Sequence, residues 1–316
     1  MRIDLKVIER MKPYLSISVV LVILSLGIFL FKGLNYGIDF VGGNLIQINY
    51  VEKNITLNEI NENLDELAEK IPQINPNSRK VQISDDGTII IRVQEITENQ
   101  KEEILENLKK LGNYDLEKAE KVGASVGADL KKSAIYSLVI GSILIVAYVT
   151  MRFEFSFAIA AIIALLHDII ISIGYISLVG YEINTPFIAA ILTILGYSIN
   201  DTIVIFDRIR ENLRRMKANK WTLEECMTKS VDQVMVRSIN TSVTTLFSII
   251  AVLIFGGDSL KTFIVTMLVG ILAGSYSSIF LATPLVYILN KRKNRDMGDY
   301  FKEKEEEEER VEKILV

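Results

Sequence analysis

Six long apolar runs constrain the fold of this chain more than any other feature of its 316 residues. Each run holds about 18 or more residues with few or no charges, which is the length that an α-helix needs to cross a bilayer. We therefore predict a polytopic α-helical membrane protein with six transmembrane helices, at residues 14–31, 133–151, 155–179, 186–207, 238–255 and 262–289.

The charges of the short loops predict the orientation of these helices. Basic residues concentrate at the N-terminus, in the 208–237 connector and at 291–293, whereas the 180–185 turn carries no Lys or Arg. Because basic loops stay in the cytoplasm, both termini are expected there. A cleavable signal peptide is the alternative for the N-terminus, but residues 32–35 are a poor cleavage site, which favours an uncleaved first helix.

The orientation divides the chain into four parts in and around the cytoplasmic (inner) membrane. They are a cytoplasmic N-terminus with the first helix (1–32), an extracytoplasmic domain with its connecting segments (33–132), a five-helix bundle (133–290) and a charged cytoplasmic tail (291–316).

The extracytoplasmic domain between helices 1 and 2 is expected to be a ferredoxin-like α+β domain, because its segments follow the order β-α-β-β-α-β. Alternating apolar residues at 46, 48 and 50 predict the first strand. Thr56 with Glu59, and Thr97 with Gln100, form capping boxes that begin two helices. A hairpin crosses the turn at residues 85–87. This fold hosts many functions and identifies none of them.

A glycine-rich segment, YGIDFVGG at residues 36–43, follows the first helix. Its composition predicts a tight turn shaped by the backbone, and a connecting turn is favoured over a ligand site. The residues assigned to this structural motif are Gly37, Asp39, Gly42 and Gly43.

Several classes of function are excluded by the composition. With one cysteine and one histidine, the sequence offers no disulfide framework and no Cys/His metal cluster. It also has no phosphate-binding loop and no dinucleotide fingerprint. We therefore expect no cofactor, no metal, no enzymatic activity and no nucleic-acid partner.

Asp201 is the strongest functional candidate, because it lies inside the fourth apolar run between Asn200 and Thr202. A carboxylate in hydrocarbon is costly and by default indicates function. The alternative is an aspartate at a helix end that reaches the membrane interface. That description fits Asp207, which arginines follow directly, better than it fits Asp201.

The fifth apolar run carries a polar face after Arg237, formed by Asn240, Thr241, Thr244 and Ser248. Such a face is expected to meet other helices or a wet cavity. Ordinary hydrogen bonding between helices accounts for the hydroxyl groups. Arg237 is expected at a depth similar to that of Asp201, and a carboxyl group between burial and a cation can change its protonation when the geometry changes. Asp201, Arg237 and Asn200 are the predicted proton relay.

His167 and Asp168 form a second polar cluster inside an apolar run, and they are the candidates for a secondary relay. A structural hydrogen-bonded contact between helices is the favoured interpretation, while a histidine that titrates near neutral pH is the basis for the relay. In the sixth run, Gly270 and Gly274 form a Gly-x-x-x-Gly pattern that predicts close helix packing.

Five motifs together resemble the SecF family: YGIDFVGG at 36–43, RFE at 152–154, HD at 167–168, LGYSINDTIVIFDRIREN at 195–212 and RSINTS at 237–242. SecF proteins are the smaller membrane subunits of the bacterial SecDF protein-export complex, within the resistance-nodulation-division superfamily. The resemblance covers residues 1 to about 290.

The resemblance implies an accessory subunit of the Sec protein translocase, driven by the proton motive force and acting with SecD in preprotein export across the cytoplasmic membrane. It implies SecD, the Sec channel, unfolded preprotein and membrane lipid as partners. By position, it also assigns Asp201 and Arg237 to the proton pathway.

Three other functions stay open. A half-unit of a proton-coupled resistance-nodulation-division exporter of lipids or small molecules would share the relay, although such exporters carry larger external domains. An intramembrane aspartyl protease would use Asp168 and Asp201, but its Gly-x-Gly-Asp context is absent. A structural scaffold would not need a carboxylate at position 201.

Overall fold

The computed structural model describes residues 6–51, 55–84, 87–216, 219–257 and 260–292. Within these residues, six helices are long and apolar enough to cross a membrane, as predicted. Five are α1 (Met11–Lys32), α5 (Ala124–Arg152), α6 (Phe155–Val179), α7 (Thr185–Arg214) and α8 (Leu223–Phe255). The sixth consists of α9 (Lys261–Ser277), a π-helical turn (Ser278–Ala282) and α10 (Thr283–Arg292). The remainder of the predicted 291–316 tail lies outside the described residues.

The charged connector after the fourth span is largely helical, because α7 continues to Arg214 and α8 begins at Leu223. Thr222 and Glu225 form a capping box that fixes the start of α8. Such a box satisfies two backbone N–H groups that a helix start leaves without partners. The predicted boundary at 238 marks the start of the apolar run, and the helix that contains this run begins earlier, at Leu223.

The chain divides into two compact units. Of the described residues, one unit holds the apolar helices, over 6–35, 137–182 and 186–292, and the other holds 36–136 with 183–185.

In the helical unit, α6, α7 and the sixth helix form the interior. Between 50% and 61% of the most apolar stretch of each is buried, compared with 6% to 11% in α1, α5 and α8. Inside, the rings of Phe153, Phe157 and Phe206 pack with centroids 5.1–6.4 Å apart. Because α1, α5 and α8 expose apolar side chains, they need lipid or another protein around them.

Glycines bring the helices of this unit close together. A Cβ added at Gly270 of α9 would lie 2.2 Å from Cδ1 of Ile194 in α7. At Gly174 of α6, it would lie 2.7 Å from Cα of Ser25 in α1. The close packing predicted around Gly270 is confirmed, and Gly174 is a second such contact that the sequence analysis missed.

The other unit contains a four-stranded antiparallel sheet and two main helices. Its elements are β2 (Gly43–Tyr50), α3 (Leu57–Ala68), β3 (Arg79–Ile83), β4 (Ile89–Val93), α4 (Glu98–Lys109) and β5 (Tyr114–Val122). The strands lie in the order β3-β4-β2-β5. Val81 pairs with Ile91 and Ile83 with Ile89, which confirms the predicted hairpin; residues 85 and 86 of its turn lie outside the described residues.

Both predicted capping boxes are present, at the starts of α3 and α4. The apolar stripes of these helices are buried, with Ile60, Leu64, Ile104 and Leu108 fully covered. A polar contact joins the two helices, since the side-chain amides of Asn63 and Asn107 each donate to the other's backbone carbonyl, at 3.2 and 2.8 Å. The sequence pattern gave no sign of this pair.

Candidate functional site

The glycine-rich segment lies between β1 (Asn35–Tyr36) and β2 and contains the short helix α2 (Ile38–Val41). Gly42 and Gly43 have φ angles of 75° and 123°. A Cβ at Gly43 would lie 2.4 Å from the backbone oxygen of Val93, and one at Gly42 would lie 2.8 Å from Cα of Ala124. Only glycine accommodates both the conformation and the approach of backbone atoms at these positions.

Asp39 and Gly37 attach this segment to the residues around the start of α7. The carboxylate of Asp39 accepts a hydrogen bond of 2.8 Å from the backbone N–H of Thr185, the first residue of α7. The N–H of Gly37 donates to the carbonyl of Ile183 in β6 (Glu182–Ile183), at 2.9 Å. A carboxylate placed beside the first turn of a helix accepts a hydrogen bond from an N–H that has no partner within the helix, and its negative charge complements the helix dipole. These two contacts fix the backbone of the glycine-rich segment against residues 183–185.

Asp201 is 4% exposed in the interior of α7, yet it is weakly held. Its one hydrogen bond among the described residues comes from Ser242 Oγ of α8, at 3.5 Å. The single hydroxyl proton of Ser242 is shared, since that oxygen also lies 3.0 Å from the carbonyl of Ser238. Ser275 of α9 donates to Ser242 Oγ at 2.7 Å. Asp201 is thus a buried carboxyl group with one long contact.

Arg237 and Asn200 lie on exposed surfaces of the helical unit. Arg237 is close enough to interact electrostatically with Asp201. No ion pair within 4.0 Å joins the two residues, however, as far as the described chain extends. Asn200 precedes Asp201 by one residue, and successive side chains on a helix point about 100° apart. Of the three predicted relay residues, only Asp201 lies inside.

The polar face of α8 is exposed in this chain. Asn240, Thr244 and Ser248 are all on the surface. The hydroxyls of Thr244 and Ser248 donate to carbonyls of their own helix, at 2.9 and 3.4 Å. This internal bonding lowers the cost of placing hydroxyl groups in a membrane. It leaves the Asn240 amide and the Arg237 guanidinium as strongly polar groups on the outside of the bundle.

Asp168 is the most firmly held carboxyl group in the structure's described residues. It is fully buried and its oxygens meet three side chains. His167 Nδ1 lies 2.9 Å from Oδ1, while Ser198 of α7 and Ser277 of α9 donate to Oδ2 at 2.6 and 2.9 Å. Asp168 therefore connects α6, α7 and α9 at one point.

Gly274 makes room for this cluster, since a Cβ there would lie 3.0 Å from Cβ of Ser198 and 3.4 Å from Oδ2 of Asp168. Nearby, the hydroxyls of Thr202 and Ser278 are 2.9 Å apart where the sixth helix becomes π-helical. Single π-turns occur often at functional sites. The role of these serines was not predicted, although the occurrence of three serines at 275, 277 and 278 within an apolar run was a signal in the sequence.

Asp168 and Asp201 have no hydrogen-bonding group in common among the described residues. An aspartyl protease needs two carboxyl groups that share a proton, so this arrangement does not favour protease chemistry. The described residues also contain no group of three or more His, Cys, Asp or Glu that could hold a metal ion. They contain two buried carboxyl groups inside an apolar bundle. Asp168 has three hydrogen-bonding side chains around it, and Asp201 has one long contact.

Asp207 has a different environment. It pairs with Arg152 at 3.1 Å, and both side chains are more than 40% exposed. Asp207 is exposed, as a position near the interface requires, but the predicted helix end is wrong, because α7 continues to Arg214. Its exposure makes Asp207 a matched comparison for Asp201, because the two belong to the same helix.

Comparison with known proteins gives concordant results. The family described as protein export membrane protein SecD/SecF, C-terminal, matches residues 100–292, and the SecD/SecF GG motif matches residues 27–52. A protein translocase subunit SecF from Sebaldella termitidis is 48% identical over 291 residues, covering 92% of this chain and 93% of that protein. The SecF of Calditerrivibrio nitroreducens is 38% identical over 290 residues, covering 90% and 94%.

Among solved structures, SecDF from Thermus thermophilus, described as a translocon-associated membrane protein, superposes with a TM-score of 0.77 at 34% identity. The match covers 90% of this chain and 38% of that one, so the chain spans well under half of the SecDF polypeptide. Sequence and structure agree over nearly the whole length. This chain belongs to the SecD/SecF family of protein export membrane proteins.

Proposed function

We propose that this chain is an accessory subunit of the Sec translocase in the inner membrane, and that it uses the proton motive force to promote preprotein export. The observation that carries the proposal is the state of Asp201, which is buried in the bundle but held by one contact of 3.5 Å. A buried carboxyl group with so weak a contact can gain and lose a proton when its surroundings change. The names of the SecF relatives support the translocase role.

In this proposal, the positive charge of Arg237 attracts the ionised form of Asp201 and not its protonated form. While Asp201 is ionised, attraction across the interface between α7 and α8 favours their approach. Protonation removes that attraction and allows the two helices to repack. One charge that moves through the membrane potential supplies about 2.3 kcal/mol per 100 mV, which is enough to shift an equilibrium between two packings.

A SecD-like partner is part of the proposal. Asn200, Arg237 and Asn240 lie on the outside of this bundle, and such groups are costly against lipid. A six-helix unit is half of the bundle that transporters with internal repeats form. The SecDF chain from Thermus, of which this chain matches 38%, is consistent with a second half in that protein.

Cross-linking tests this interface. Cys226, the single cysteine, is replaced by Ala, and a new cysteine is introduced as Asn240→Cys in membranes that also contain the SecD of the same organism. With a maleimide-coupled benzophenone attached to the new thiol, we expect a light-dependent link to SecD. Ile239→Cys, at the same depth but about 100° around α8, is the control and should link far less. Equal links from both positions, or none from Asn240→Cys, would argue against this face as the contact.

The unit at 36–136 is proposed to be a ferredoxin-like domain on the extracytoplasmic side. Its strand order, β3-β4-β2-β5, with one helix after the first strand and one after the third, supports the fold class. The basic loops on the other side of the membrane support its location.

Labelling from each side tests the orientation. In the Cys226→Ala background, Glu102→Cys on α4 and Asn219→Cys between α7 and α8 place single thiols on exposed positions. A membrane-impermeant maleimide should label position 102 from outside intact cells and position 219 only after the cells are opened. Labelling of both from the same side would overturn the orientation and with it the export role of the domain.

A further inference from the structure

The pair formed by His167 and Asp168 has one nitrogen that the mechanism above does not use. His167 is the only histidine of the chain and is 3% exposed. Its Nδ1 is occupied by the carboxyl group of Asp168, at 2.9 Å. Its Nε2 is buried and has no hydrogen-bond partner among the residues that the structure describes.

A second buried polar atom without a standard hydrogen bond lies near Tyr276 of α9, which also contacts His167. Ser18 of α1 is 2% exposed, and within the described part of the chain its hydroxyl completes no hydrogen bond of standard geometry. It lies beside the hydroxyl of Tyr276 in α9. The imidazole of His167 stacks on the ring of Tyr276, with centroids 6.3 Å apart and planes 22° apart. The two unsatisfied groups therefore flank one side chain.

Such a pair of buried groups requires a small polar ligand. A buried donor or acceptor without a hydrogen-bond partner destabilises the folded state, so two such groups together are unfavourable. Buried waters usually hydrogen-bond to polar groups that would otherwise be unsatisfied. Tyr276 takes part as well, since its hydroxyl donates to the carbonyl of Tyr14 at 2.8 Å and keeps its lone pairs as acceptors.

We propose that a water molecule binds next to Tyr276 between α1, α6 and α9, on His167 Nε2 and Ser18 Oγ, and that His167 with Asp168 is a second protonatable site reached through this water. A hydronium ion in that position gives a proton to Nε2 and becomes water. The imidazole passes its Nδ1 proton to Oδ1 of Asp168, whose charge falls to zero. The sum is one hydronium and one carboxylate converted to one water and one carboxylic acid.

The surroundings of the pair suit this role. The titratable groups around it are Tyr276 from α9 and, beyond it, Tyr14 from α1; α7 contributes the neutral Ser198. With Asp168 neutral, the hydroxyls of Ser198 and Ser277 lose a charged acceptor, which loosens the point that connects three helices. Only the use of this site during export rests on the proposed function; its water and its proton do not.

A single histidine makes the test direct. The chain is labelled with ¹⁵N-histidine, placed in lipid with its SecD partner unlabelled, and studied by solid-state NMR from about pH 5 to pH 9, which brackets the ordinary titration of histidine. We expect one imidazole signal pair that is protonated at Nδ1 and unprotonated at Nε2 at the alkaline end, with magnetisation transfer from water to Nε2. Acidification should shift the pair to a form protonated at Nε2.

Two variants sharpen the result. Ser18→Ala should reduce the transfer from water severalfold, while Ser25→Ala, two turns along the same helix and also buried, should leave it unchanged. No water contact at Nε2, equal transfer in both variants, or a ring that keeps one protonation state across the range would each overturn the proposal. Export by Asp201→Asn is a separate measurement, so failure of the two ideas can be told apart.

Discussion

Replacing Asp201 by Asn should abolish the stimulation of preprotein export by a proton gradient while the chain still folds and inserts. Asn keeps the shape of the side chain and can still accept a hydrogen bond from Ser242, so packing around α7 is preserved. The amide cannot exchange a proton at accessible pH, so the response to the gradient is lost. The measurement is translocation of a preprotein into membrane vesicles that contain SecD and the channel, with and without an imposed gradient.

The matched control for that experiment is Asp207→Asn on the same helix. This carboxylate is half exposed and pairs with Arg152, and surface pairs of this kind contribute about 0–1 kcal/mol. Its replacement should leave stimulation nearly intact. Arg237→Met should impair stimulation, because it removes the cation to which Asp201 responds. Normal stimulation of the Asp201→Asn protein would exclude Asp201 from the mechanism, whatever its relatives do.

Adding a single methyl group at Gly174 should destabilise the bundle strongly. A Cβ at this position of α6 would lie 2.4 Å from Cβ and 2.7 Å from Cα of Ser25. Backbone atoms cannot move aside as a flexible side chain can, so α1 must separate from α6. Overpacking of this kind costs about 1–3 kcal/mol. We expect Gly174→Ala to lower the midpoint of thermal unfolding of the purified protein in detergent.

Gly196→Ala is the control, because a Cβ at Gly196 of α7 meets nothing within 4 Å. Alanine is a better helix former than glycine, so this change should preserve or raise the unfolding midpoint. Equal midpoints for the two variants would mean that α1 and α6 do not approach each other as closely as the structure has them.

Several features were predicted correctly because short stretches of sequence decide them. The six spans follow from runs of apolar residues whose length matches the bilayer. The capping boxes at Thr56 and Thr97 depend on residues three positions apart, so they form wherever the helix starts. The hairpin register follows from alternation on either side of a turn. α8 begins well before its apolar run, because hydropathy marks the apolar part of a helix and a capping box marks where the helix begins.

The polar contacts inside the bundle were decided by tertiary structure alone. Ser198 and Ser277 reach Asp168 from 30 and 109 residues away, whereas Thr244 bonds to its own helix. A Ser or Thr hydroxyl in a helix can donate either to the carbonyl one turn earlier in its own helix or to a group on another helix. The residue type alone therefore does not predict its hydrogen-bond partner. The same limit applies to charge. The sequence placed Asp201 and Arg237 at similar depth, but the tertiary structure buries the carboxyl group and leaves the guanidinium exposed. Hydropathy determined which helices are long and apolar enough to cross a membrane, and the packing of the helices determined which of their polar groups meet.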